Sequence, residues 1–233
     1  MSLAGLGVVA IWNDIEPQAR AEFHEWHSRE HMPERVGIPG FLRGRRYIAL
    51  SGTPPSAAPE YFTLYETRDL GVLTGADYLA RLNAPTAWTR RCVASFLNTE
   101  RALCTVAASL GAGQGGLLMT LRYDVAPDWK DRHHAWLAEQ ALPALASLPG
   151  ICGAHLCIAD TGASTLLTEE KKLRPHATIV PDWVVMVECA GERADIESAC
   201  AQRLPDSAFA AAGATATPAR GLYALQQCVS GPG

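Results

Sequence analysis

The run His27-Ser28-Arg29-Glu30-His31 sets two imidazoles and a carboxylate within little more than one helical turn. Histidine changes charge close to neutral pH, so His27 and His31 are candidates for general acid or base work, with Glu30 beside them. Arg46 would add a fixed positive charge able to hold a carboxylate or an enolate-like oxygen. The same five residues fit H-x-x-E-H, a pattern in which two histidines bind zinc and the glutamate activates water; Glu66 would then supply a carboxylate ligand. That short pattern arises easily by chance, so no metal is assigned from it. A plainer alternative is that these histidines only tune packing in a non-catalytic, oligomeric binding module.

Positioning these groups is the task of a duplicated unit. Shifted by 110 positions, Asp14–Gly52 aligns with Asp124–Gly162, and Asp14, Pro17, His24, Trp26, Pro33, Pro39 and Gly40 recur as Asp124, Pro127, His134, Trp136, Pro143, Pro149 and Gly150. Farther on, Pro59, Tyr61, Leu64 and Glu66 answer Pro181, Trp183, Met186 and Glu188 at an offset of 122, which leaves about twelve extra residues in the polar stretch Ala163–His176. Each copy predicts a strand (Gly7–Trp12, Leu117–Tyr123) and a helix that begins near Pro17 or Pro127. The helix should stop near Pro33 or Pro143, because proline lacks a donor and restrains the residue before it. Pro-Gly then turns the chain into a second strand, Phe41–Leu50 or Ile151–Ala159.

Third strands follow at Glu60–Glu66 and Trp183–Glu188, then helical stretches and final strands at Leu103–Ala108 and Leu222–Val229. The order βαββαβ is a split βαβ, ferredoxin-like unit. The fold class is α+β: two tandem units, 1–112 and 113–233, joined through glycine-rich Leu110–Gly116. Each sheet, with helices on one face, needs a cover on the other. The two are therefore expected to pack sheet to sheet as a pseudo-two-fold barrel, either as a monomer or as a homodimer.

The copies differ where it matters. On a helix, positions 23, 26, 27, 30 and 31 share an arc of about 140° that faces the core. Copy one has Phe23, Trp26, His27, Glu30 and His31 there; copy two has His133, Trp136, Leu137, Gln140 and Ala141. Arg46 interrupts the helix-facing parity of strand two, where copy two has Leu156. Ionisable groups in place of filler are costly unless they are paired or reach water. Glu66 is read on the helix-facing parity of Phe62 and Leu64, completing a cleft of His27, His31, Glu30, Arg46 and Glu66 over Trp26. Phe41, Arg43, Arg45 and Tyr47 point the other way, between the sheets. Ion pairs are expected there, or a second polar pocket in which Tyr47 joins Tyr61, Thr63 and Tyr65. His24 and His134, at the stripe's edge, read as structural.

Composition narrows the partners. With 233 residues, 48% of them hydrophobic, the chain can bury a substantial core. A net charge of −4 and the absence of basic runs interleaved with aromatics disfavour nucleic acid. Leu6–Trp12 is too short to cross a bilayer, so no membrane partner is expected. Seven cysteines with no C-x-x-C pair read as reduced thiols in a cytoplasmic protein. Neither a phosphate-binding loop nor a nucleophile elbow occurs, and Gly111-Ala112-Gly113-Gln114-Gly115-Gly116 reads as a linker.

The stretch Trp26-His27-Ser28-Arg29-Glu30-His31-Met32-Pro33-Glu34-Arg35, followed by Ile38-Pro39-Gly40-Phe41 and an Arg-Tyr strand, resembles the dimeric α/β-barrel superfamily, nearest its EthD-like members. The likeness covers roughly Gly5–Leu110. Those proteins usually assemble the barrel from two chains, whereas this sequence carries both units in tandem. The resemblance implies a small-molecule pocket between helices and sheet, often serving oxidation, cyclisation, isomerisation or decarboxylation without a bound cofactor; Arg46 beside the two histidines is what makes a small acidic or phenolic molecule the expected ligand. Some relatives bind haem, which would make His27 or His31 an axial ligand.

Overall fold

A computed structural model describes residues 3–50 and 58–231. Gly52, the last residue of the aligned repeat, lies outside them. The chain runs β1 (Gly7–Ile15), α1 (Arg20–Trp26), a π turn (His27–His31), α2 (Met32–Val36), β2 (Phe41–Ala49) and β3 (Tyr61–Thr67). It continues through α3 (Ala76–Asn83), α4 (Ala87–Val93) and β4 (Phe96–Gly111). The second half repeats the order: β5 (Leu117–Tyr123), α5 (Lys130–Trp136), a π turn (Leu137–Ala141), α6 (Leu142–Ala146) and β6 (Ile151–Ala159). Two short helices, α7 (Thr161–Thr165) and α8 (Glu169–Lys172), occupy the extra polar stretch before β7 (Trp183–Cys189), α9 (Arg193–Arg203), α10 (Asp206–Ala211) and β8 (Ala219–Ser230).

The strands close into one barrel in the order β1-β3-β2-β8-β5-β7-β6-β4. Each half contributes four neighbouring strands, and the halves join antiparallel along β2–β8 and β4–β6. The expected α+β architecture of two ferredoxin-like units forming a barrel is therefore what the chain adopts. β4 is far longer than its apolar run suggests, because it pairs with β1 along its first part and with β6 along its second. At the turns into β2 and β6, Gly40 and Gly150 have φ of 91° and 79°, a conformation that a side chain would oppose.

One sequence expectation fails at the prolines. The helices do not stop at Pro33 and Pro143 but pass them and end at Val36 and Ala146. Just before each proline the helix widens, with Met32 N–H donating to the carbonyl of His27 and Leu142 N–H to that of Leu137, five residues back. A widened turn accommodates both the missing proline donor and the clash of its ring with the preceding turn.

A second correction concerns strand parity. Phe62, Leu64 and Glu66 face the barrel interior, while Tyr61, Thr63 and Tyr65 face the helices. Every residue of β3 is buried, so apolar alternation cannot tell its two faces apart. The interior is an apolar core of Val8, Trp12, Tyr47, Phe62, Leu118, Val184 and Tyr223, among others. Burying each large side chain of this kind is worth about 1.5–3 kcal/mol.

Charge enters that interior where Arg122, over the Trp12 ring, pairs with Glu100 at 2.6 Å, and in a larger cluster around Arg45. Arg45 Nε donates to Glu66 at 2.9 Å and Arg45 Nη1 to Glu188 at 2.9 Å, all three side chains being fully buried. Arg43 Nε adds a second bond to Glu66 at 2.8 Å, and His155 Nε2 lies 3.4 Å from Glu188. Burial alone would raise the Glu188 pKa, but His155 and Arg45 hold it at about 2. The expected ion pairs between the sheets are thus present, and the two equivalent glutamates are bridged through one arginine.

Candidate functional site

The helix layers of the two halves differ in continuity. In the second half a single apolar cluster runs from Met119 through Leu137, Leu142, Leu156 and Val185 to Leu222. In the first half the corresponding layer is two clusters. One holds Met32, Val36, Phe41, Tyr65, Tyr78 and Leu103; the other holds Ile15, Phe23, Trp26, Tyr61, Val93 and Phe96. Between them stand His27, His31, Arg46 and Thr63, all buried.

The widened turn carries both histidines inward. His27 lies 5.1 Å from the Phe23 ring, His31 stacks on Trp26 at 4.3 Å, and the two imidazoles are 5.5 Å apart. Arg46 projects from β2 beneath them. Its Nη1 lies 3.4 Å from His27 Nδ1 and donates to Ser28 Oγ at 3.1 Å, while Nε donates to Gln226 Oε1 at 3.1 Å. Ser28 Oγ in turn donates to Gln227 Oε1 at 2.8 Å, so β8 of the second half buttresses the site. A guanidinium can only donate, which makes His27 Nδ1 the acceptor and places that ring's proton on Nε2.

Both histidines have pKa values well below the usual 6.5. Burial is the main cause; Arg46 adds to it at His27, and Arg35 at His31. Both rings are therefore neutral at pH 7. His31 Nδ1 is buried with no hydrogen-bond partner among the described residues, and so is the hydroxyl of Tyr65, whose ring lies 6.4 Å from His31. Arg46 is 6% exposed, and its partners are all neutral; among the described residues it forms no ion pair. Burial lowers its pKa from the usual arginine value, and the group stays cationic.

The other expected site residues go elsewhere. Glu30 accepts from Thr86 Oγ1 at 2.5 Å and Thr89 Oγ1 at 3.3 Å, at the start of α4, tying the widened turn to that helix rather than joining the imidazoles. Trp26 is core, with Nε1 donating to Thr89 at 3.2 Å. Glu66 and Tyr47 lie on the far side of the sheet, inside the barrel, Glu66 held by Arg43 and Arg45. The second polar pocket does not form as expected, since Tyr61, Thr63 and Tyr65 sit on the opposite face from Tyr47. His24 bonds Tyr61 Oη at 3.0 Å, as a structural histidine would.

Sequence reasoning set Thr63 and Tyr65, whose counterparts at the 122 offset are Val185 and Val187, in a pocket between the sheets instead of this site, and it missed the β8 glutamines. Correct parity on β3 would have revealed the first two. It also missed the reach of the second-half insertion: Glu170 on α8 pairs with buried Arg35 on α2, which also binds Glu34 at 2.9 Å.

The donors of the zinc pattern are not gathered, because Glu30 is bound by two threonines and Glu66 by two arginines. Among the described residues no cluster of three metal-ligating side chains occurs. A haem iron needs an imidazole nitrogen facing a slot as wide as a porphyrin. Here both imidazoles are enclosed by Phe23, Trp26 and each other, and the site does not fit that group. A groove of ≈590 Å³ opens in the second half, lined by Met119, Cys200, Leu204 and Pro218, but its arginine, Arg220, is already paired with Asp206 at 2.6 Å.

Neither a protein-family profile nor a curated protein matches the sequence. Solved structures do match. An anthrone oxidase-like protein superposes with a TM-score of 0.63 at 13% identity, covering 98% of this chain and 94% of its own. The fold is that of the dimeric α/β barrels. A protein from Fusobacterium nucleatum subsp. nucleatum assigned as a monooxygenase gives a TM-score of 0.59 at 8% identity, covering 98% and 96%. One assigned as a chlorite dismutase gives 0.55 at 11%, covering 97% and 96%. Within this fold the chain supplies both halves of the barrel itself. Among the described residues no helix is long and apolar enough to cross a membrane.

Proposed function

We propose that the first half binds a small acidic or phenolic organic molecule between its helices and sheet, with Arg46 receiving the negative charge and His27 and His31 moving protons. The observation that carries this reading is the buried Arg46 guanidinium, which has neutral partners only and lies beside two neutral imidazoles. A buried cation without a carboxylate is costly, and an incoming anion relieves that cost. Arg45, one position away, has two carboxylates of its own, so Arg46 is the exception on its strand.

The chemistry follows from charge. A neutral imidazole can take a proton from a phenol or an activated C–H, and the phenolate or enolate so formed is stabilised by Arg46. That anion is the common precursor for reaction with dioxygen, for reprotonation at another carbon, and for ring closure onto a carbonyl. Loss of carbon dioxide generates it from the other direction. The oxidase-like and monooxygenase-assigned proteins of the same fold support the oxidative branch by analogy of fold alone.

The test is ligand-dependent melting of the wild-type protein and Arg46→Leu against hydroxybenzoates and anthrone, since a ligand for the native state raises its apparent stability. Wild type should shift and the variant should not. Equal shifts in both, or none in wild type across the panel, would refute the reading.

A further inference from the structure

A second group of cations lies in the seam where the second-half insertion meets the first half. Arg101 projects from β4 on its helix-facing side, and Lys171 and Arg174 come from α8 and the residues just after it. The three line a hollow of ≈10 Å³ whose walls are otherwise mostly apolar, with Leu73, Leu82 and Leu103 among them. Such a hollow accepts one group about the size of a water molecule.

Among the described residues none of the three cations forms an ion pair. Arg101 Nη2 donates to Tyr78 Oη at 2.9 Å, and Arg174 Nη1 to Thr178 Oγ1 at 2.9 Å. Lys171 Nζ donates to the carbonyls of Ser164 at 3.2 Å and Thr165 at 3.1 Å. Those carbonyls at the end of α7 explain where the ammonium sits but do not cancel its charge. Arg174 Nε is buried with no hydrogen-bond partner among the described residues. The nearby carboxylate, Glu170, is committed to Arg35. Burial first, and Arg101 next, depress both the Lys171 ammonium and the Arg174 guanidinium, the latter to about 10.

The second half shows the balanced version. Arg101 stands opposite Ile11 and Arg220 opposite Leu121, and Leu121 is the repeat counterpart of Ile11, so the two arginines are equivalent. Arg220 has Asp206 at 2.6 Å; Arg101 has no carboxylate, only two further cations. We infer that Arg101, Lys171 and Arg174 form a site for one small monovalent anion, either a free halide or the head of a carboxylate, which fastens the second-half insertion to the first half. The site is separate from Arg46 and goes beyond the function proposed above.

The experiment is thermal melting of the whole protein at constant ionic strength, replacing sodium methanesulfonate in turn by chloride, formate and benzoate. Wild type should show a saturable rise of several degrees in chloride or formate. Lys171→Met and Arg174→Gln should each remove most of that rise, and Arg46→Leu should retain it, which separates this site from the other. A rise in chloride assigns a free halide; a rise in formate and benzoate without one in chloride assigns a carboxylate head. Bromide-soaked crystals supply a readout that does not depend on the variants folding, with an anomalous peak expected between Arg101 and Arg174. Melting that ignores the anion's identity, equal rises in Lys171→Met and wild type, or, where chloride raises the melt, bromide only elsewhere would overturn the proposal.

Discussion

The helix layers of the two halves are built on one backbone plan and filled with opposite chemistry. His27, His31, Arg46, Thr63 and Tyr65 in the first correspond to Leu137, Ala141, Leu156, Val185 and Val187 in the second. The widened helical turn occurs in both, so it belongs to the proline-containing helix and not to the histidines it carries. Identical geometry with apolar filling gives one continuous core; with polar filling it gives two cores and a charged layer between them. The second half thus acts as an internal control for what the fold alone requires. The polar layer is an added cost, and cost without structural return is how a functional site announces itself.

The largest expected effect lies outside the comparison and calibrates it. Arg45→Met should destabilise the whole barrel by about 3–5 kcal/mol, because it strands the buried carboxylates of both halves. Denaturant melts should show one cooperative transition moved down, with no preference for either half.

Within the comparison, placing first-half chemistry in the second half should also be severe. Leu137→His loses apolar packing and buries an imidazole among aliphatic side chains, at a cost of about 2–4 kcal/mol. A change below about 1 kcal/mol would mean that the second layer also tolerates polar groups, and the contrast would fail.

Arg46→Leu should weaken binding of an anionic ligand roughly 10- to 150-fold, the loss expected for hydrogen bonds to a charged group. It should leave the melting temperature near or above the wild-type value. Equilibrium titration with a hydroxybenzoate that shifts the wild-type melt measures the first, and scanning calorimetry the second.

pH gives a smaller and directional effect. The folded-state pKa values of His27 and His31 lie well below 6.5, so below about pH 6.5 the unfolded chain binds more protons than the folded one. Stability should therefore be unaffected by these groups above pH 7 and fall as pH drops through 6.5 towards 5, by up to about 1.4 kcal/mol per pH unit for each histidine. His27→Leu and His31→Ala should flatten that slope, and an unchanged slope would show that the rings are protonated in the folded state.

Glu30→Gln is expected to be mildest, about 0.5–1.5 kcal/mol, because it retains an acceptor for Thr86 and Thr89 and gives up only charge near the start of α4. Turnover, once a substrate is in hand, should change little. A large loss would restore Glu30 to the imidazole site.

Much of this was legible in the residues alone. The 110-residue repeat locates the first two strands and the first helix of each half, and its glycines at 40 and 150 mark turns that need positive φ. His27, His31 and Arg46 stand out because Leu137, Ala141 and Leu156 show what the position would otherwise hold. Glu66 misled because both faces of β3 are buried, one by helices and one by the opposing sheet, so alternation carries no sign. Glu30 misled because the widened turn rotates it towards α4, which uniform helical spacing does not anticipate. Glu170, Gln226 and Gln227 reach the first half from the second, and no local pattern signals a contact across 135 to 199 positions.

The most direct test grafts the second half's filling onto the first in one protein, His27→Leu with His31→Ala and Arg46→Leu, and measures unfolding free energy and ligand binding side by side. The account predicts a fold at least as stable as wild type, by up to about 3 kcal/mol, that binds no hydroxybenzoate or anthrone. A graft that loses stability, or that keeps wild-type affinity, would show that the polar layer exists for packing.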